Sequence, residues 1–280
     1  MRKIGIYVAH WSSHWDEDSL PLIVRAQAAG YDGAELGISD PQTVDCLAIR
    51  NEAGRLGMEV TTGIGLSPAT DISSPDAAIR RAGLKRLRAC LDATHEMGGS
   101  MMGGVTFAPW MFFPDSADLS PYRERSAACL HEAGQIAGDL GVTLGLEILN
   151  RFETPFFNTV AQGVQFLEMV DSPHVKLHLD TFHMNIEEDD LGAAIRLAGD
   201  SLGHFHCADS SRKMPGQGHI NWNAIRNALD EIDYQDWLVI ETFLKSGTEV
   251  GTTVRTWRDL GGDPDEEARA GADFLRQHLA

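Results

Sequence analysis

Short apolar runs alternate with longer amphipathic stretches from one end of this chain to the other, and few folds are open to such a pattern. A buried parallel strand reads as a brief apolar run, and its crossover to the next parallel strand needs a helix, so repeated alternation spells βα units around a parallel sheet. Eight units can be marked off, with strands beginning near Ile4, Gly33, Glu59, Met101, Thr143, Val175, Gly203 and Leu238. The helical stretches run over Ser19–Ala29, Pro41–Leu56, Asp76–Met97, Pro121–Leu140, Thr159–Val170, Leu191–Ala198, Trp222–Leu229 and Asp265–Leu279. Gly30, Gly57, Gly98 and Gly141 each fall between a helical stretch and the next strand, where a left-handed residue ends a helix. Pro21 and Pro121 sit early in their helices, where a missing amide proton costs little.

The 280 residues divide into eight units of about 35, close to the roughly 250 residues of a (β/α)8 TIM barrel with a few longer loops. A doubly wound sheet is the competing α/β fold. It normally carries a Gly-rich phosphate turn after its first strand, but this chain reads Ala9-His10-Trp11-Ser12-Ser13 there. The Gly-Gly pairs at 98–99 and 103–104 lack the dinucleotide spacing, so no nucleotide or redox cofactor is expected. No linker or low-complexity tract interrupts the rhythm, and the expectation is one barrel domain over residues 1–280 with its site at the C-terminal ends of the strands.

The last four strands carry chemistry at those ends. Leu144-Gly145-Leu146 ends in Glu147, Leu177-His178-Leu179 in Asp180, Gly203-His204-Phe205 in His206 and Leu238-Val239-Ile240 in Glu241. Taken alone, Asp180 also reads as a helix cap, and either glutamate as an ion-pair partner. Taken together, four ligating groups on successive strands converge on the barrel axis, and the sequence offers three carboxylates no obvious buried cation. A divalent metal resolves that conflict. An oxygen-rich set with one imidazole suits Mn²⁺ or Mg²⁺, with Co²⁺ also compatible. Two glutamates flanking the ion are what abstraction and return of a proton require.

The stretches Glu147-Ile148-Leu149-Asn150-Arg151-Phe152-Glu153, Asp180-Thr181-Phe182-His183-Met184-Asn185-Ile186-Glu187-Glu188, Gly203-His204-Phe205-His206 and Ile240-Glu241-Thr242-Phe243 resemble the ketose 3-epimerases, xylose-isomerase-like TIM barrels that include D-tagatose, D-psicose (allulose) and L-ribulose 3-epimerases. Shorter pieces, such as Trp11-Ser12-Ser13-His14-Trp15 and Pro215-Gly216-Gln217-Gly218, extend the resemblance over essentially the whole chain. It implies a metal on Glu147, Asp180, His206 and Glu241, most readily Mn²⁺, and Glu147 and Glu241 as the catalytic pair. One removes the C3 proton of an open-chain free ketose, and the other returns a proton to the opposite face of the enediolate. It further implies Glu153, His183 and Arg212 at the O1/O2 end of the sugar, and a homodimer or homotetramer. Without the resemblance, Glu153 reads equally as a surface partner of Arg151, His183 as a loop histidine and Arg212 as an offset to local acid. Tyr7, Trp15, Trp110 and Phe243 lie at or beyond strand ends and are expected to wall the sugar, the competing reading being core filling. The apolar segment Pro109–Pro114 suggests a lid or a subunit contact.

Lys+Arg 23 against Asp+Glu 41 gives a formal charge of −18, which argues against nucleic-acid partners and against attraction to anionic membranes. With Arg212 and Lys213 the main cations near the expected site, it also favours an uncharged sugar over a sugar phosphate. Cys46, Cys90, Cys129 and Cys207 form no CxxC pair and read as reduced thiols; with no signal-peptide pattern after Met1, a cytoplasmic protein is expected. Two alternatives stand beside the epimerase. An aldose–ketose or hydroxypyruvate/inosose-type isomerase would use a similar metal and carboxylate pair, and a catalytically silent sugar-binding protein would keep the pocket alone.

Overall fold

A computed structural model describes residues 1–280. Eight parallel strands close into a barrel in sequence order: β1 (Lys3–Tyr7), β2 (Gly33–Gly37), β3 (Glu59–Leu66), β4 (Met101–Pro109), β5 (Thr143–Glu147), β6 (Val175–Asp180), β7 (Leu202–Cys207) and β8 (Trp237–Ile240). Closure is made by β1 pairing with β8, Ile4 opposite Leu238 and Ile6 opposite Ile240. The sequence reading of a (β/α)8 barrel is therefore correct, with β1, β7 and β8 each starting one residue earlier than expected.

The helices are α1 (Ser19–Ala28), α2 (Cys46–Leu56), α3 (Ala77–Glu96), α4 (Ser120–Leu140), α5 (Val160–Val170), α6 (Thr181–Glu187), α7 (Leu191–Ala198), α8 (Trp222–Glu231), α9 (Glu249–Thr253) and α10 (Pro264–His278). Their starts follow capping chemistry. Asp18, Asp45, Asp76, Thr159, Asp190, Asn221 and Asp263 each accept a backbone N–H of the first turn. This is why α2 begins at Cys46 and not at Pro41: Asp45 takes the Ala48 amide, while residues 41–43 form a turn on Asp40. The four glycines expected at helix ends have positive φ, 95° at Gly30, 67° at Gly57, 84° at Gly98 and 66° at Gly141. The short α6 and α9 were not anticipated, because one or two turns carry too little periodicity to register.

The outer strand faces pack under the helices, and the four cysteines are unpaired. No helix is long and apolar enough to cross a membrane. One cluster matters for the site. Phe156 and Phe157, fully buried in the loop after β5, pack on Phe107 of β4 with ring centroids 5.6 and 4.3 Å apart. Arg123 of α4 donates to the Phe156 carbonyl at 2.8 Å. Truncating either ring to Ala would cost about 3–5 kcal/mol, so the loop carrying Asn150 and Glu153 is held from beneath.

Candidate metal and substrate site

Glu147 is the last residue of β5, Asp180 the last of β6, His206 the penultimate of β7, and Glu241 follows β8 directly. The barrel brings them together as expected: one ligating atom from each lies within 4.8 Å of the others, all four residues buried. Two of those atoms have no partner in the protein. Asp180 spends Oδ1 on capping α6, accepting the Phe182 amide at 2.7 Å, and its Oδ2 is orphaned; His206 Nδ1 is orphaned too, 3.9 Å from Glu241 Oε2. Buried polar atoms are normally satisfied, and a hard acceptor beside an unpartnered imidazole nitrogen amid two more carboxylates is a donor set suited to a divalent cation. The residues fit such an ion.

The sequence offered no buried cation, and here the structure corrects it. Arg212, in a left-handed conformation (φ 60°) after β7, is buried with its Nη2 hydrogen-bonded to Glu241 and 3.9 Å from Asp180 Oδ2. Its guanidinium lies over Phe182 and Phe243, 4.8 and 5.0 Å from the ring centroids. The loop that presents it is pinned by Asp209, whose carboxylate accepts the amides of Ser210, Gly216 and Ile220 and the Trp222 indole at 2.8–3.3 Å.

This asymmetry separates the two glutamates. Burial pushes the Glu147 carboxyl well above the ordinary range, and the charge of Glu241 adds to the push. Burial acts on Glu241 in the same direction, but Arg212 and His206 outweigh it and hold the group down to about 2. Asp180 is raised, chiefly by burial. Paired carboxyl groups whose environments drive them apart are the arrangement that lets one donate while the other accepts.

Asn150, Glu153 and His183 form a second constellation beside the first. Asn150 Nδ2 donates to Glu153 Oε1 at 2.9 Å and to His183 Nδ1 at 2.8 Å, and the Asn150 amide also reaches Nδ1 at 3.2 Å. With Nδ1 accepting, His183 carries its proton on Nε2, which lies 3.8 Å from Glu147 Oε1. Trp110 donates its indole N–H to Glu153 Oε2 at 2.8 Å. Burial raises the Glu153 carboxyl, but His183, Arg212 and these donors more than offset it, leaving it below the ordinary range.

Glu147, Glu153, His183, His206, Arg212, Glu241 and Trp110 line one cavity of about 300 Å³ that also takes in Tyr7, Trp15 and Phe243, while Asn150 and Asp180 stand behind its wall. Trp15 is fixed by its indole donating to Thr253 at 3.2 Å, whereas Trp11 points elsewhere, donating to Asp265. Lys213, expected among the nearby cations, does not line the cavity; Arg86 of α3 does, with Nη2 donating to the Ile38 and Ser39 carbonyls at 3.1 Å. In the apolar segment after β4, Phe112 packs on Tyr122 and Phe113 is half exposed.

Sequence reasoning missed Glu35, His178 and His204, all buried in the barrel interior. Glu35 accepts from His206 Nε2 at 2.7 Å, His204 Nε2 at 2.6 Å and Thr61 Oγ1 at 2.9 Å. The signals were an acid in the middle of the strand run Gly33-Ala34-Glu35-Leu36-Gly37, and histidines two residues before Asp180 and His206, on the same strand face.

Comparison with known proteins gives the family. The family model of the xylose isomerase-like TIM barrel matches residues 23–278. The chain is 37% identical to the D-psicose 3-epimerase of Agrobacterium fabrum over 98% of each chain, and 36% identical to the L-ribulose 3-epimerase of Mesorhizobium japonicum over 98% of this chain and 93% of that one. The crystal structure of D-psicose 3-epimerase with D-tagatose from Clostridium cellulolyticum H10 superposes with a TM-score of 0.95 at 37% identity, covering 99% of both chains. The chain thus belongs to the xylose isomerase-like TIM barrels and, within them, to the ketose 3-epimerases, a family of isomerases.

Proposed function

We propose that this protein inverts C3 of free ketoses, the class that includes D-fructose/D-allulose, D-tagatose/D-sorbose and L-ribulose/L-xylulose, by moving a proton off and back onto that carbon. The observation that carries the reading is the pair Glu147 and Glu241, three strands apart around the barrel, lining one cavity with His206 and clustered with the buried Asp180. Glu147, Asp180, His206 and Glu241 would hold a divalent cation, Mn²⁺ first and Co²⁺ or Mg²⁺ next. When bound, the ion supplies Lewis acidity that makes a proton beside a carbonyl easier to remove.

The rest of the work belongs to side chains. One glutamate takes the C3 proton from its face of the sugar, and the other delivers a proton to the opposite face, so that the configuration inverts with no redox change. Which acts first depends on the epimer supplied. His183, with its proton on Nε2, and the Arg212 guanidinium donate to the oxygens that gain charge, while Glu153, oriented by Asn150 and Trp110, accepts from the O1/O2 end. Tyr7, Trp15, Trp110 and Phe243 wall the carbon face and keep water from the reacting carbon. We assign the protein to the cytoplasm on its unpaired thiols, and to a homodimer or homotetramer on its family.

Incubation with D-fructose, D-tagatose and L-ribulose in turn, with Mn²⁺, tests the reading. A new ketose epimeric at C3 is the expected product. A new aldose would support the 1,2-isomerase instead, and no product from any sugar would support the silent binder.

A further inference from the structure

His206 can serve an ion through Nδ1 only if its proton stays on Nε2, and the groups around it decide where that proton sits. Its ring is buried, its Nδ1 faces the carboxylate cluster with no partner, and its Nε2 faces one oxygen of Glu35 at 2.7 Å. An ionised carboxylate only accepts, so it draws the proton to Nε2 and leaves the Nδ1 lone pair for the cluster. The other Glu35 oxygen accepts from His204 Nε2 at 2.6 Å and Thr61 Oγ1 at 2.9 Å. The His178 ring closes the arrangement from the side, edge-on to His206 with centroids 4.0 Å apart. It fits because Gly103 has no Cβ, an atom that would lie 2.8 Å from His178 Nδ1.

We propose that Glu35 is the positioning residue of the metal centre: it fixes the tautomer and ring orientation of His206, and with them the ion affinity of the whole site. The inference rests on the reading of His206 as a ligand. A glutamine at 35 keeps the size but offers one acceptor and one donor where two rings each need an acceptor. If its NH₂ faces His206, the imidazole proton is forced onto Nδ1, toward the cluster. If its NH₂ faces His204, that ring must carry its proton on Nδ1, an atom with no partner here. Only the carboxylate serves both rings. Outer partners of metal-bound histidines commonly control affinity by about 10- to 100-fold.

The test compares the wild type with Glu35→Gln and Thr61→Val. Mn²⁺ affinity is titrated by calorimetry and electron paramagnetic resonance, and the fold of each metal-free protein is checked by circular dichroism. Glu35→Gln is expected to bind Mn²⁺ about 10- to 100-fold more weakly, while Thr61→Val, which removes one donor from the far oxygen, stays within about threefold. Equal affinity of Glu35→Gln and wild type, or a loss in Thr61→Val as large as in Glu35→Gln, overturns the inference. ¹⁵N-histidine spectra of the Mg²⁺-loaded wild type give an answer that does not depend on any variant folding. A metal-shifted Nδ1 with the proton on Nε2 supports the inference, and a proton on Nδ1 of His206 refutes it. A wild type that binds neither ion would instead bring down the metal reading itself.

Discussion

Replacing Asp180 by Asn separates the two jobs this side chain does. Oδ1 caps α6 through the Phe182 amide, and Asn caps a helix as well as Asp does, so that job survives. Oδ2 has no partner and sits with Glu147 and Glu241 in a cluster within 4.8 Å, so the variant loses a raised, buried carboxyl and a ligand at once. Repulsion from Glu241 at that range is about 3 kcal/mol at an effective dielectric near 20, and Arg212 at 3.9 Å, attracting by about 4 kcal/mol on the same footing, offsets it, so that burial is what makes the charge costly. Removing the charge should leave the metal-free protein no less stable, and more so by about 1–2 kcal/mol. The loaded protein should behave oppositely. An ion at a hundred times its dissociation constant stabilises by about 2.7 kcal/mol, and with an unfolding entropy of about 2.1 cal/mol/K per residue the 280-residue chain should melt about 4–5 °C higher. Calorimetric scans with chelator and with Mn²⁺, on wild type and Asp180→Asn, measure both effects. The wild type should show the Mn²⁺ shift and the variant less than about 1 °C of it. A variant that keeps the full shift, or that is several kcal/mol less stable without metal, would refute the reasoning.

Glu147→Gln and Glu241→Gln should each cut kcat by about 10²–10⁴ with unchanged circular dichroism; full activity in either contradicts the assigned proton transfers. Trp110→Phe removes the indole donor to Glu153 while Asn150 still holds the other oxygen, so kcat/KM should fall about 3- to 10-fold, and an unchanged value would show that Glu153 needs no such orientation. Burial raises the Asp209 carboxyl, but its four donors hold it below the ordinary value. Its stabilisation of the Arg212 loop is therefore present above about pH 4, the unfolded value, and is lost as pH falls through the lower folded one. Asp209→Asn should lower the melting temperature at neutral pH by a margin that narrows toward pH 3, and a gap that stays constant with pH would contradict this account.

The barrel was legible because its alternation is repeated, and each repeat corrects errors in its neighbours. The four groups at the ends of β5 to β8 stood out because a ligating residue closing a short apolar run recurs in step with the strands. Glu35, His178 and His204 lie within strands and not at their ends. His178 and His204 stand two residues before Asp180 and His206 and so share their inward face, but that Glu35 meets His204 and His206 is set only by closure of the barrel. Arg212 was reachable only through the family resemblance, and its pairing with Glu241 was not legible, for a different reason. It sits in a loop, and its approach to Glu241 depends on a left-handed backbone and on the Asp209 turn, neither of which has a periodic signature. Helix α6 has only seven residues, too few for a periodic pattern, although its cap, Asp180, was open to that reading beside its reading as a ligand.

Exchange at C3 tests the central claim most directly. With Mn²⁺ and a ketose substrate in deuterium oxide, proton abstraction and return by Glu147 and Glu241 should place deuterium at C3 of the epimerised product, read by nuclear magnetic resonance. Deuterium at C1 or C2 with formation of an aldose, or epimerisation with the C3 hydrogen fully retained, would contradict it.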